Sequence, residues 1–428
     1  MKYPAYEKYK DTEVECLGRI PTTGWKKERL YDIAFIRTSN VDKKTVKGQR
    51  PVKLCNYTDV YYNEKIHSGL EFMMSSASEE EIKKFRLFKG DVVITKDSES
   101  PFDIGIGSYV DEDIDDLVCG YHLAIIKPNK SDLYGQYLYY AISSDMSAYQ
   151  FTIAANGVTR FGLSYNGMKN IKILVPSINE QQKIADFLDH KTAQIDRLIE
   201  KKQVLVEMLN EKRMAMITLA VTKGLDENVP MKDSGVEWLG TVPAYWDVKK
   251  LKFSFNILNN RRIPLSAEER TGMQRNYPYY GASGIIDYVE DYIFDGPAVL
   301  VAEDGANLLS RSTPLAFIAD GKYWVNNHAH ILRPIEGPFD YWANLLCSIN
   351  FEPFITGSAQ PKLTKDRLAS IPLPSPPLGE QKFISAFILE EVSKIDPMVT
   401  TANLVINKLQ EYRTAIITAA VTGKIKVL

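Results

Sequence analysis

The stretch EQQKIADFLD, beginning at Glu180, returns at Glu380 as EQKFISAFIL. Aligned without a gap, positions 180–222 and 380–422 are identical at fifteen of 43 places, and the match is tightest at the ends: EQ with Ile184 and Phe187 against EQ with Ile384 and Phe387, then RMAMITLAVT against RTAIITAAVT. Upstream, Phe151, Gly157, Leu163 and Ile171 fall opposite Phe351, Gly357, Leu363 and Ile371. The halves also begin alike, with KDTEVECLGRIPTTGWKKERL at Lys10 and KDSGVEWLGTVPAYWDVKKL at Lys232. A chain built this way is a duplication, and any fold assigned to it must contain two related units.

The repeated tails carry a helical pattern. Ile184, Leu188, Ile195, Leu198, Leu205, Leu209, Met216 and Leu219 are spaced by alternating steps of three and four, with Lys191, Lys202 and Lys212 as interruptions. Ile384, Ile388, Ile395, Met398, Val405, Leu409, Ile416 and Ala419 repeat the pattern. This is a heptad seam, and a helix of this length needs a partner for its apolar stripe. The simplest partner is the other tail, packed antiparallel about a pseudo-twofold axis. The expected packing residues are Ile184, Leu188, Ile195, Leu205 and Leu209 on one helix and Ile384, Ile388, Ile395, Val405 and Leu409 on the other. In this register Lys212 meets Glu391 and Lys191 meets Tyr412. Pro397 predicts a kink or break near Asp396, because it removes a backbone donor and crowds the preceding turn.

Between start and tail the similarity thins to a skeleton. GDVVITKDS at Gly90 pairs with GPAVLVAED at Gly296, and YHLAIIKP at Tyr121 with NHAHILRP at Asn327. Short apolar and β-branched runs broken by Gly, Pro and Asp predict strands over DVVIT, HLAIIKP, AVLVAE and HAHILRP. QYLYYAISSDMSAY and DYWANLLCSINFEPF predict intervening helices. The expected fold is α+β: two mixed α/β bodies separated by two long helices that form an antiparallel coiled coil, the whole an internal pseudo-twofold duplication. The boundaries are a first body over 1–177, a spacer helix over 178–224, a second body over 225–376 and a second spacer helix over 377–428. The polar stretch TKGLDENVPMKDSG and the Pro-rich IPLPSPPLGE mark linkers.

Composition bounds the function. Of 428 residues, 45% are hydrophobic and 25% charged, as in soluble globular proteins. The N-terminus has no apolar signal core and no apolar run reaches a membrane span, so a cytoplasmic protein without a membrane partner is expected. Cys16, Cys55, Cys119 and Cys347 are scattered, without a CxxC pair, which argues against a disulfide framework or a zinc site and for reduced thiols filling core space. Net charge is −2, yet charge is uneven. From Lys26 to Lys53 nine basic residues face three acidic ones, and from Lys249 to Arg275 seven face two. Locally basic faces on a near-neutral chain suit a polyanion that is sampled and released.

The ordered set of motifs, occurring twice, resembles the DNA specificity subunit of type I restriction–modification systems. In the second half it runs KDSGVEWLGTVPAYWDVKKL, TGSAQPKL, IPLPSPPLGEQ and a terminal helix. In the first it runs LGRIPTTGWKKERL, NGVTRFGL and ILVPSINEQQKIADFLD. The resemblance covers essentially the whole chain. It implies that each body is a target-recognition domain reading one half of a split double-stranded DNA site. It implies that the helices space the bodies and dock two modification (methyltransferase) subunits, which a translocating restriction subunit can join. It also implies that S-adenosylmethionine is bound by the methyltransferase partner and that this chain holds no cofactor and no metal.

Candidate DNA contacts follow from loops bearing Arg, Lys, Asn, Gln, Ser and Thr. The loops NGVTR and GSAQPK match the family's Gly-containing loop before the tail and supply Asn156, Thr159 and Arg160, and Ser358, Gln360 and Lys362. The basic loops supply Arg37, Lys43, Lys44, Lys47 and Arg50 in the first body, and Arg261, Arg262, Arg275 and Asn276 in the second. The acids of TKDSES and AEDGAN either accept from cytosine or close structural turns.

No catalytic motif stands out. SPPLG lacks the Asn or Asp and the aromatic residue of an [N/D]PP[Y/F] amino-methyltransferase motif. Glu81-Ile82-Lys83 has the form of a nuclease triplet but lies in a charged helical run. His328 and His330, placed on one strand face, lack a further clustered ligand and read as a packing or hydrogen-bonding pair. His122 aligns with His328. A non-catalytic specificity subunit is therefore the expected class. The alternative is a coiled-coil scaffold whose two bodies bind proteins, which would have no use for basic polar loops in both bodies.

Overall fold

The computed structural model describes residues 3–13, 17–357 and 360–427; Cys16 and Ser358 lie outside the described residues. In each body the apolar runs form the central, mutually antiparallel strands of a sheet, and the first sheet ends in one parallel pair, Gly107–Val110 with Lys65–Ile66. The first sheet has the order Ala34–Thr38, Leu123–Pro128, Val92–Thr95, Gly107–Val110, Lys65–Ile66. The second has the order Phe255–Ile257, Ala329–Pro334, Ala298–Ala302, Ala316–Ala319. The runs are continuously apolar because both faces are covered: Val92, Ile94, Ala124 and Ile126 enter one core cluster, and Val93, Leu123 and Ile125 another. Val299, Val301 and Leu332 separate from Leu300 and Ile331 in the same way.

The bodies differ in what is added to this shared sheet. The first carries a three-stranded sheet of Leu117–Cys119, Arg50–Cys55 and Met73–Ala77; the second a four-stranded sheet built on Tyr277–Gly281 and Gly284–Val289. Cys55 and Cys119 are buried free thiols, and Cys347 is a half-buried one. The predicted helix QYLYYAISSDMSAY is two helices, Gly135–Ile142 and Asp145–Ala154, because Ser144 caps the second by accepting from the backbone N–H of Ser147. Glu81 is engaged in a capping box, accepting from the backbone N–H and hydroxyl of Ser78, which is a structural use of the nuclease-like triplet.

The tails are unbroken helices of 46 residues (Ile178–Lys223) and 44 residues (Leu378–Val421). Pro397 lies inside the second without ending it, on an exposed face where the carbonyl it leaves unpaired can be hydrated; the expected break does not occur. Residues 3–202 and 404–427 form one compact unit, and 203–403 the other, so the division passes through the middle of both helices.

Within each unit the helix segments run antiparallel. In the first, Ile184, Leu188 and Ile195 share a core with Ile416, Ile417, Ala420 and Val421. In the second, Ile384 and Ile388 share one with Ile217, Ala220 and Val221. The seam differs in phase from the heptad reading. After Leu188 it steps by four to buried Thr192, then follows Ile195, Ile199, Lys202, Val206, Leu209 and Arg213. Leu205 is therefore not a seam residue; it is exposed, as are Leu198 and Leu219. Val405 is half-buried, and its neighbour Ile406 is the buried seam residue, while Leu409 is half-buried within the seam. Two successive four-residue steps (184, 188, 192) move the stripe around the helix, the drift expected when 3.6 residues per turn do not divide seven. The cross-helix ion pairs are Arg413–Asp196 at 2.8 Å in the first unit and Arg213–Asp396 at 3.3 Å in the second, a symmetric pair. Glu391 pairs with Lys394 of its own helix, not with Lys212. Lys191 lies close enough to Tyr412 for its charge to act on that phenol.

The repeated EQ has a physical use. Gln181 is buried, accepts from the backbone N–H of Tyr134 (2.8 Å) and donates to the carbonyls of Asp132 and Pro176. Gln381, also buried, donates to the carbonyl of Pro376 (2.9 Å). Glu180 accepts from the hydroxyl of Tyr6, and Glu380 from Tyr245 (3.0 Å) and the indole N–H of Trp246 (2.9 Å). Each carboxylate sits in the first turn of its helix, where the macrodipole favours negative charge. The dipeptide thus fastens each helix entry to its own body.

Candidate nucleic-acid interface

The two loops before the tails are hairpins in equivalent places. In the first body Ala155–Gly157 pairs with Phe161–Leu163, whose other edge meets Asp97–Ser98. In the second, Lys362 bridges Thr356 on one side and Asp304 on the other. The anchoring bonds match: Leu163 N–H donates to the carbonyl of Lys96 (2.8 Å) and Leu363 N–H to that of Glu303 (2.7 Å). Gly157 has φ +146° and Gly357 φ +85°, and a Cβ at either would stand 2.0 Å or 2.7 Å from the carbonyl oxygen of residue 160 or 360. Only glycine fits so tight a turn.

These anchors fix the true correspondence between the bodies. Lys96 matches Glu303 and Asp97 matches Asp304, because both Lys96 and Glu303 donate their N–H to the carbonyl of the equivalent histidine, His122 or His328. The alignment of GDVVITKDS with GPAVLVAED is thus off by one at this point. With the correction, a histidine–aspartate pair stands at the same place in both bodies. His122 Nδ1 lies 2.8 Å from Asp97, and His328 Nδ1 lies 2.8 Å and 3.0 Å from the two carboxylate oxygens of Asp304.

The surroundings of the pairs differ. In the first body Asp97 also takes Lys96 at 2.9 Å, and the Arg160 guanidinium stands almost equidistant, at 3.3 and 3.5 Å, from the two imidazole nitrogens of His122. Burial works against the Asp97 carboxylate, but the His122 and Lys96 bonds outweigh it and hold its carboxyl below the usual value. Tyr57, Ser98, Glu99, Asp103 and Thr159 complete the walls of an open cleft of about 450 Å³ here. In the second body His328 is half exposed. Behind it, Glu303 gathers Arg262 (2.6 Å) and Lys362 (3.4 Å). Burial again opposes the carboxylate of Glu303, and the Arg262 bond with the nearby positive charges overcomes it, so its carboxyl is also lowered.

His328 and His330 do not share a strand face. His328 precedes the strand and turns outward to Asp304, whereas His330 is fully buried. Its Nε2 lies 2.7 Å from the Leu363 carbonyl, which can only accept, so Nε2 carries the proton and Nδ1 accepts from Asn259. Burial pushes the His330 pKa down. His330 thus ties the second hairpin to the sheet as a neutral group.

The structure brings Asn156, Thr159 and Arg160 together on the first hairpin, and Gln360 and Lys362 on the second. Asn156 donates to the carbonyl of Ala154. Arg262 is beside them but spent inward, on Glu303 and the carbonyls of Asn327 and Ala329. Lys43, Lys44 and Lys47 are exposed. Arg37 donates to the Lys84 carbonyl and lies over Phe35, and Arg50 pairs with Asp116 at 2.6 Å. Arg261 lies over Phe294; Arg275, well exposed, reaches Asp287 at 3.5 Å; Asn276 lies 3.5 Å from the Glu290 carbonyl. Asp97 and Asp304 are the acids of TKDSES and AEDGAN, which the sequence offers as base acceptors or turn formers, whereas Tyr57, His122 and His328 are not among the DNA contacts it suggests. The usable signal was the alignment of His122 with His328, which reads as a site only once the aspartates are in register. Among the described residues no group of His, Cys, Asp and Glu could hold a metal ion, and no helix is long and apolar enough to cross a membrane.

A family model described as the type I restriction modification DNA specificity domain matches residues 22–208 and again 243–403. A type I restriction enzyme MjaX specificity subunit of Methanocaldococcus jannaschii is 24% identical over 98% of this chain and 97% of its own. A Haemophilus influenzae protein named as a type I restriction enzyme specificity subunit is 41% identical over 155 residues, 35% of this chain; the match spans only 36% of that protein. Among solved structures, a chain from a study of complex assembly and conformational transition of the type I R-M system superposes with a TM-score of 0.72. It is 16% identical, and the match covers 94% of this chain and 98% of that one. The HsdS subunit of Thermoanaerobacter tengcongensis superposes at 0.50, with 17% identity and 94% and 98% coverage.

Proposed function

Because this chain belongs to the type I restriction–modification DNA specificity family, we propose that its two bodies each read one half of a bipartite double-stranded DNA site. The observation that carries this reading is the duplicated hairpin-and-loop constellation, which places Asn156, Thr159 and Arg160 in one body and Gln360 and Lys362 in the other on glycine-dependent turns. Polar side chains on tight turns approach a DNA backbone or groove edge closely, and the basic loop with Lys43, Lys44 and Lys47 adds phosphate contacts. The long helices act as the spacer between the readers. Half-sites on a duplex recur with its ~10.5 base-pair turn, so two readers need a fixed separation and rotation.

The exposed apolar residues outside the helix seam, Leu198, Leu205, Met208 and Leu219, are a docking surface for two modification subunits. S-adenosylmethionine binds to those subunits and methyl transfer occurs there; this chain contributes recognition without catalysis. A restriction subunit joins through the same assembly. The test is methylation-resolved sequencing of DNA from cells expressing the chain with its modification subunit. A single split motif is expected. Methylation without sequence preference, together with duplex binding that shows no specificity excess at any salt concentration, sinks the reading.

A further inference from the structure

The equivalent histidine–aspartate pairs, His122–Asp97 and His328–Asp304, differ in what stands over the imidazole. In the first body the imidazole is covered by Arg160. In the second body the residue at that hairpin position is Gln360, and the imidazole edge of His328 is open. An aspartate carboxylate can only accept, so in each pair the Nδ1 nitrogen carries a proton and the ring is fixed in plane and tautomer. The pair therefore holds a flat, rigid platform at one place in both bodies. What stands on the platform is what changes.

That distribution of constant and variable parts is informative. The DNA backbone is chemically the same at both half-sites, so groups that only anchor phosphate can be the same in both bodies. Base edges differ between the halves of an asymmetric site, so the groups that read them must differ. The platform is shared and the outward group is not.

We infer that the histidine–aspartate pair is a common mount for a base-reading group: the Arg160 guanidinium over His122 in the first body, and the exposed imidazole edge of His328 in the second. Arg160 then acts as a specificity-determining residue, with His122 and Asp97 as its positioning residues. A guanidinium held by one nitrogen above the ring can turn its remaining N–H donors to a purine edge, and paired donors there select guanine O6 and N7. His328, fixed through Nδ1, presents Nε2 outward as a single acceptor. This inference rests on the proposed DNA-reading function.

The experiment uses the full chain with its modification subunit and measures methylation at duplexes carrying every single-base change in each half-site. Arg160→Ala is expected to lower discrimination at one position of the first half-site by about 10–100-fold and to leave the second half-site unchanged. His122→Gln and Asp97→Asn should relax the same position more weakly, and His328→Ala one position of the second half-site. The untouched half-site reports whether the variant is folded. If the unsubstituted complex discriminates but Arg160→Ala or His328→Ala weakens all sequences equally, the groups are phosphate anchors and the inference fails. Unchanged discrimination also overturns it. If the unsubstituted complex has no preferred sequence, the proposed function itself has failed.

Discussion

At its helix entry the first unit satisfies Glu180 with Tyr6, a residue contributed from near the start of the body, while the nearby Trp25 packs edge-on against Tyr6 and makes no hydrogen bond to that carboxylate. The second unit satisfies Glu380 with Tyr245 and with Trp246, the counterpart of Trp25 in the repeated opening motif. The seam arginines diverge too: Arg413 takes Asp196 and Glu64, whereas Arg213, among the described residues, takes Asp396 alone. Each position is kept, and its set of partners is kept only in part. Duplicated positions therefore preserve a geometric task, fastening a helix to a body or one helix to another. The side chains that complete the task drift with the surrounding body.

The comparison can be broken at its strongest point by trimming the shared core. Ile184→Ala and Ile384→Ala remove equivalent buried side chains, and each should destabilise its unit by about 2–5 kcal/mol, with costs equal to within about 1 kcal/mol. Urea unfolding monitored by circular dichroism checks this, and a large inequality would mean the two cores are not equivalent. Pro397 stands where the first helix has Arg197. Because the site is exposed, Pro397→Ala should raise stability by up to about 3 kcal/mol, read as a higher melting temperature. A loss of stability would show that the helix uses the proline's shape.

Arg413→Ala should cost about 1.5–3 kcal/mol through its charged hydrogen bonds, and Arg213→Ala measurably less, since it loses one acid rather than two. Equal costs in differential scanning calorimetry would remove the Glu64 contact from the account.

The smallest effect expected is acid sensitivity. Asp97 and Glu303 have carboxyl pKa values lowered by folding. Their contribution is fully present above the ordinary carboxyl values near 4 and is lost as pH falls through the lowered folded values. Asp97→Asn should flatten the stability loss below about pH 4. No change in acid-unfolding profiles would place the favourable charge interaction elsewhere.

The sequence carried the architecture further than it carried the contacts. Apolar runs such as VVIT and AVLVA read directly as strands, because burial on both faces leaves no polar alternation to obscure them. The antiparallel helices followed from the repeat. Their phase did not, because the seam passes through Thr192, Lys202 and both arginines, polar residues that a search for apolar steps skips. Apolar steps alone land on exposed Leu205, one residue short of the seam residue Val206. At the hairpins, the loops were legible from glycine and polar residues. The aspartates behind them were displaced by one position in the alignment, an offset that only backbone hydrogen bonds resolve.

The division of the helices has a consequence for synthesis. The second unit is one continuous stretch, 203–403, and every residue it needs has been made once Asn403 is added. The first unit borrows 404–427, including Ile416, Ile417, Ala420 and Val421 for its core and Lys426 for a backbone bond to Pro4. Its N-terminal body therefore completes its core only with a segment made after the whole of the second unit, while the later-made unit can fold first. The usual amino-to-carboxyl order of domain folding is reversed. A chain ended at Asn403 and released from the ribosome should carry a protease-resistant second unit and a first unit that is still open.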